Sequence, residues 1–249
     1  MKGVGKVFMR SRGRTLVKRA VPAVLAATFG VSLLLAPRAA RADGVELFGG
    51  GQLDFSNYVF IGATVALSKQ GIGNGFAIRG SGDFGGYQYN SSDLGVVKAT
   101  FSGGELDAVY QYTGKNLWND VFAGQSFENT ILTPDDPSNT SRGPQYEIRV
   151  GLDGGAVSGP YRTDWLGYYG TRIHDYAGRL SLTHSLSPAW RLGVEGYVEG
   201  DPEYHLSQVG PYAGIQLGPK SELDLSTGWS WESGFNSRAY VRASFSQRI

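Results

Sequence analysis

Tyr146–Glu147–Ile148–Arg149–Val150–Gly151–Leu152–Asp153 sets the reading of the whole chain. Tyr, Ile, Val and Leu take the even positions, and Glu, Arg, Gly and Asp the odd ones. A hydrophobic period of two marks a β-strand with one apolar and one polar face, because successive side chains point to opposite sides of the pleat. A face with charges of both signs, backed by an apolar one, fits a soluble sandwich or a membrane barrel equally well. How often the pattern recurs decides between them.

It recurs along nearly all of the chain. Twelve strand-like segments follow one another, at residues 45–55, 57–67, 75–89, 95–112, 117–130, 144–156, 161–171, 176–185, 190–200, 204–217, 221–233 and 237–247. Most are about ten residues or longer, the length a tilted strand needs to cross a bilayer. Alternation is cleanest in the second half. Trp190, Leu192, Val194 and Val198 alternate with Arg191, Glu195, Tyr197 and Glu199, and Leu223, Leu225, Trp229 and Trp231 with Glu222, Asp224, Ser230 and Glu232. In the first half, Val59, Ile61, Ala63, Val65 and Leu67 alternate with small residues and aromatics, and segment 117–130 is ambiguous.

The connections fit a meander. Residues 113–116, 186–189 and 218–220 are short and rich in turn formers, and residues 131–143 form the longest link, with Pro134–Asp135–Asp136–Pro137 inside it. Counted from a periplasmic N-terminus, the three short turns fall on the periplasmic side and the long loop outside, as in outer-membrane barrels. Consecutive hairpins with no long crossover, together with strand length and Trp/Tyr near strand ends, favour that barrel over a soluble sandwich. In lipid an open sheet leaves backbone groups unpaired, so the sheet must close. The expectation is one all-β domain over residues 43–249, an antiparallel up-and-down membrane barrel of 12 strands.

The start of the chain supports export. Lys2, Lys6, Arg10, Arg12, Arg14, Lys18 and Arg19 precede an apolar run over residues 20–36, and Ala40–Arg41–Ala42 offers a signal-peptidase site. Residues 1–42 therefore read as a signal peptide cleaved before Asp43, with Met9 as a second possible start. The run is short for a membrane anchor and contains Pro22, and the absence of an Arg–Arg pair points to the general secretory route. The formal charge of the whole chain is +1, but residues 1–42 hold nine Lys/Arg and no acid, which leaves the remainder at −8. An acidic mature chain argues against nucleic acid as a partner. With no Cys among 249 residues, disulfides, thiolate metal sites and cysteine nucleophiles are excluded.

Parity assigns the polar face, which in a barrel lines the lumen. It carries Arg79, Asp83, Glu147, Arg149, Asp153, Arg179, Arg191, Glu195, Glu199, Glu222, Asp224 and Arg242. In a narrow barrel these charges pair across the interior, so they read first as structural and second as a polar path for a sugar chain. Tyr87, Tyr89, Tyr197, Tyr212 and Tyr240 share that face, and a flat ring with a hydroxyl suits a pyranose. Girdle and filler roles compete for the same tyrosines.

A catalytic reading rests on His205 and Ser207, which share one face of a strand as in outer-membrane lipid A hydrolases, with Glu203 placed to orient the ring. Gln208 follows the serine where that family continues Asn-Pro-Gly, so a hydrolase is the lesser expectation. His174 and His184 are too scattered for a transition-metal site, and Asp135–Asp136 reads as a solvated loop tip rather than a calcium site. No metal or cofactor is expected.

A set of short motifs adds a family resemblance. Leu47–Phe48–Gly49 opens the mature chain, Tyr110–Gln111–Tyr112 ends a strand, and Thr133–Pro134–Asp135–Asp136–Pro137 sits in the long loop. Trp190–Arg191–Leu192–Gly193–Val194–Glu195–Gly196 then leads to Asp201, Tyr204 and Val209–Gly210. In this order and spacing the chain resembles the cellulose biosynthesis protein BcsS family across most of residues 45–249. The resemblance implies a process and a location, with no catalytic residues to carry over. It implies a non-catalytic outer-membrane accessory of cellulose production or export, in contact with membrane lipids and with a β-glucan chain or other cellulose-synthesis components. A general small porin and a lipid A-modifying hydrolase are the alternatives.

Overall fold

The computed structural model describes residues 44–54, 56–202 and 204–249; the expected signal peptide and Glu203 lie outside them. Twelve strands form one closed antiparallel barrel in simple sequence order. They are β1 (Val45–Leu53), β2 (Asn57–Ala66), β3 (Gly75–Ser91), β4 (Gly95–Thr113), β5 (Leu117–Thr133), β6 (Gly143–Ser158), β7 (Tyr161–Gly170), β8 (Tyr176–Ser185), β9 (Trp190–Gly200), β10 (His205–Gly218), β11 (Ser221–Glu232) and β12 (Arg238–Arg248). Closure is made by β1 against β12, in register from Glu46↔Arg248 to Leu53↔Val241, so no strand edge is left to pair with lipid or another chain.

The two faces differ as the alternation requires. Outward positions carry Leu106, Ile131, Leu180, Val194 and Trp229, each more than half exposed. Such a continuous apolar surface is far larger than a water-soluble monomer tolerates and is stable against hydrocarbon. Aromatic residues ring both ends of it. Phe76, Tyr110, Tyr112, Tyr161 and Trp190 mark the end that holds the short turns, and Tyr146, Tyr169, Tyr176, Trp229 and Trp231 the other. Amphipathic rings at these two levels are the girdles of a membrane barrel.

Inward positions are mostly polar, broken by two small apolar clusters, Ala77–Val109–Phe122 and Val97–Ala99–Leu132, and glycine shapes them. Rings from one strand lie over glycines of the next: a Cβ on Gly62 would strike the Phe48 ring, one on Gly151 the Phe122 ring, and one on Gly85 the Phe101 ring at 2.5 Å. The missing side chains let these aromatics lie flat against the wall instead of projecting across the lumen.

The end holding the chain terminus has short turns at 114–116, 159–160, 186–189 and 219–220. One connection there, 67–74, is longer. Gly71, Gly73 and Gly75 adopt positive φ in or beside it, and the Gly73 N–H donates to Gln111 Oε1 at 2.9 Å, which pins the turn against the end of β4. The opposite, loop end is uneven. β3, β4 and β5 run 17, 19 and 17 residues, against ten for β2 and ten for β7. β3 pairs with β2 only as far as Gly86 but with β4 up to Ser91, so its last five residues stand above the β2 rim. The mouth therefore has a raised wall on one side.

Candidate functional site

Arginines organise the lumen, and Arg79, Arg149, Arg162 and Arg191 each hold two or more carboxylates. Arg79 on β3 donates to Asp120 on β5 and Asp153 on β6, both at 2.8 Å. Arg149 on β6 reaches Glu105 at 3.0 Å, Glu147 at 3.2 Å and Asp175 of the 171–175 connection. Arg191 on β9 pairs with Asp164, Asp224 and Glu222, and Arg162 on β7 shares Asp164 and Glu222 with it. Arg242 on β12 donates to Glu195 at 3.0 Å and to the side-chain carbonyls of Gln52 and Gln208. Glu195 is 1 % exposed and Arg242 6 %, so this cluster is the most withdrawn from water. Desolvating so many charges is costly unless each is paired, and the sharing of carboxylates between guanidinium groups meets that cost.

Each arginine also lies over a ring. Arg79 faces Phe122 at 5.3 Å, Arg149 Tyr168 at 5.0 Å, Arg162 Trp118 at 4.8 Å, Arg191 Tyr212 at 5.3 Å, and Arg242 Tyr197 at 4.0 Å and Tyr240 at 5.9 Å. A guanidinium stacked on a ring is both attracted and held in orientation. Outside the spanning strands, burial pushes Asp175 up to about 7. Arg149 opposes that shift, and the neighbouring Glu147 adds to it.

Tyr87 and Tyr89 differ from Tyr197, Tyr212 and Tyr240, the other three tyrosines expected on that face. They stand on the raised wall, where Tyr87 lies 6.3 Å from Tyr89, Phe101 and Tyr204. The Tyr89 hydroxyl donates to Asp136 Oδ2 at 2.9 Å, and Asp136 Oδ1 accepts from the Ser138 backbone N–H and hydroxyl. These hydrogen bonds, first from Ser138 and then from Tyr89, hold the Asp136 carboxyl below the usual range. Farther along the same loop, the Ser141 hydroxyl donates to Asp201 at 3.2 Å. The 134–142 loop thus folds inward over the mouth.

All twelve charges expected on the polar face project inward, and they do not form one site. They are distributed among the four arginine clusters, with exceptions. Arg179 makes no ion pair among the described residues, Asp83 lies beside Gly103, and Glu199 accepts from the Tyr197 hydroxyl at 2.6 Å. Tyr197, Tyr212 and Tyr240 also face inward, but guanidinium groups already occupy the space at their rings. His205 and Ser207 both face outward. His205 Nδ1 pairs with the Tyr176 hydroxyl at 2.8 Å, and no hydrogen bond joins it to Ser207 among the described residues. Glu203, the expected third member, lies outside them. No group of three or more metal-ligating side chains occurs among the described residues.

Sequence reasoning missed Glu105, Asp107, Asp120, Asp164, Arg162 and the ring partners Trp118, Phe122 and Tyr168. Glu105 and Asp107 were within reach, since they alternate with Leu106 and Ala108. Asp175 lies in a connection, where parity says nothing, and Tyr204, the first residue of the expected segment 204–217, lies just before β10 in the structure.

Among solved structures the fold is similar to that of an outer membrane channel from Pseudomonas putida F1, with a TM-score of 0.54, 11% identity, and coverage of 86% of this chain and 99% of that one. It is also similar to the KdgM porin, at 0.51 and 11%, covering 82% and 99%, and to the translocator domain of the autotransporter NalP from Neisseria meningitidis, at 0.50 and 11%, covering 92% and 98%. At such identities the likeness is one of fold. Among curated protein sequences none matches this one. Residues 46–249 match the family described as cellulose biosynthesis protein BcsS, and over nearly the whole barrel the chain belongs to that family.

Proposed function

We propose that this protein is a non-catalytic outer-membrane accessory of cellulose production that holds or passes a β-glucan chain at the cell surface. The observation that carries the reading is the family match over residues 46–249, which covers all of the closed barrel but its first residue. A barrel with an apolar belt and a polar, ring-lined lumen supplies a wall in lipid and an interior suited to hydroxyl-rich chains. We further propose that residues 1–42 are a signal peptide removed on export through the general secretory route. The outward His205 is committed to Tyr176, which supports a role without hydrolysis.

The test is a clean deletion strain grown under cellulose-producing conditions, with secreted and cell-retained glucan assayed separately. Loss of secreted glucan, restored by the intact gene, supports the accessory role, and glucan retained inside points to export. Unchanged amounts of both refute it. A general small porin is the second reading, favoured by the closed barrel with its charged lumen. It predicts ion conductance in planar bilayers and no dependence of glucan yield on the gene.

A further inference from the structure

The arginine clusters each occupy one sector of the wall, whereas the mouth holds a contact between opposite walls. In the ring of twelve strands, β3 and the connection 201–204 between β9 and β10 face each other across the barrel. Tyr87 from β3 and Tyr204 from that connection nevertheless approach to 6.3 Å between ring centroids, with their planes only 22° apart. The raised wall makes this possible, because Tyr87 lies beyond the last β2–β3 pair at Gly86 and so reaches over the rim. Phe101 backs Tyr87 from β4. The 134–142 loop ties the two sides together, through Tyr89–Asp136 at one wall and Ser141–Asp201 at the other.

We propose that Tyr87 and Tyr204 form a clamp that takes one ring of a neutral hexopyranose chain between them at the loop-end mouth, with the 134–142 loop as the strap that sets their spacing. This rests on the glucan-handling reading above and names the place where the chain is gripped. Carbon atoms in contact sit about 3.5–4.0 Å apart, so a sugar ring sandwiched between two aromatic faces needs them about 7–8 Å apart. The observed rings are nearly parallel and short of that spacing by about 1–2 Å. A small outward movement of the 201–204 connection turns the contact into a sandwich, and no new fold is required.

The charges around the clamp select neutral chains. Asp136 and Asp201 hold the strap, and the guanidinium within it, Arg142, is already paired with Asp135 at 2.7 Å. A uronate brought here meets carboxylates and a guanidinium already held by Asp135, whereas a neutral hexose meets ring faces and hydrogen-bond acceptors.

The experiment is isothermal titration of the full mature barrel, in a detergent without a sugar head group, with cellohexaose and with hexameric oligogalacturonate. The parent is expected to bind cellohexaose and to bind the uronate at least tenfold more weakly. Tyr204→Ala and Tyr87→Ala should each weaken cellohexaose about tenfold, and the double variant little further, because a clamp missing one jaw gains little from the other. Tyr204→Phe and Tyr87→Phe should bind as the parent does, since the ring face makes the contact. A heat-dependent gel-mobility shift checks that every variant is folded. Should the alanine variants bind like the parent, the clamp is wrong and glucan handling stands. Should the parent bind neither glycan, both fall. Equal affinity for the two hexamers overturns the selectivity.

Discussion

Arg242→Met tests whether the lumen charges hold the barrel together or merely decorate it. Glu195 is 1 % exposed and accepts from Arg242 at 3.0 Å and from the Ser226 hydroxyl at 2.9 Å. Removing the guanidinium leaves that carboxylate buried with a single hydroxyl, and stranding one member of a buried ion pair costs about 3–5 kcal/mol. Glu195→Gln on its own should cost less, because Arg242 keeps the carbonyls of Gln52 and Gln208 and the Tyr197 ring at 4.0 Å. The double variant removes both charges, and the guanidinium's hydrogen bonds to Gln52 and Gln208 are lost in Arg242→Met already, so it should be more stable than Arg242→Met alone. The assay is urea unfolding of the barrel in phospholipid vesicles, with the folded fraction read from the mobility of unheated samples. If Arg242→Met costs under about 1 kcal/mol, or the double variant costs the sum of the two singles, the cluster behaves like a solvated surface pair and the reasoning fails.

Two further outcomes are expected. Gly85→Ala places a Cβ 2.6 Å from the Asn57 carbonyl oxygen and 2.7 Å from the Tyr58 Cβ, neither of which can swing away. It should destabilise the barrel by about 1–3 kcal/mol, while Gly218→Ala, which meets nothing within 4 Å, should be near neutral in the same assay. The second concerns pH. Asp175 holds its proton in the folded barrel up to about 7, whereas an unfolded aspartate releases it near about 3.9, so the folded state binds more protons in between. Its contribution is full below about 3.9 and is lost as pH rises through about 7, and Asp175→Asn should flatten the fall of stability over that interval. Identical pH profiles for parent and variant would refute the assignment. Asp136 acts in the opposite sense, since its lowered value keeps the strap intact above the ordinary carboxylate range and loosens it only in stronger acid.

The strands were legible because a membrane barrel writes its two environments into alternate residues. In β9, Trp190, Leu192, Val194 and Val198 face out against Arg191, Glu195, Tyr197 and Glu199, and the expected and observed limits coincide at residues 190 and 200. β5 resisted because its inward face carries Trp118 and Phe122 beneath Arg162 and Arg79, while its outward face includes Asn119 and Gln125. An aromatic under a guanidinium is as inward as a carboxylate, and hydropathy does not distinguish it from a lipid-facing ring. The same effect bears on the tyrosines. Parity placed Tyr197 and Tyr212 on the lumen face, but nothing along the strand says that Arg242 and Arg191 lie against their rings. Those arginines come from β12 and β9, and the tyrosines from β9 and β10. Such pairings depend on inter-strand register and tilt, which local alternation does not encode.

The separation between stabilising and gripping residues follows from the size of the ring. Ion pairs centred on Arg79, Arg149, Arg162, Arg191 and Arg242 join strands no more than four places apart, whereas opposite walls of a twelve-strand barrel are six apart. A guanidinium reaches around a sector of the wall, which stiffens the cylinder and consumes the hydrogen-bonding capacity of the side chains involved. A group that must release and retake a sugar ring cannot be committed in that way. The place to look for it is where two walls approach through connections rather than through the sheet, because connections move at little cost to the hydrogen-bond ladder. Tyr204 meets that condition and Tyr87 stands opposite it on the raised wall. Mutational effects should divide accordingly: substitutions in the arginine clusters should show in unfolding, and those at the mouth should show in glycan binding with stability nearly unchanged.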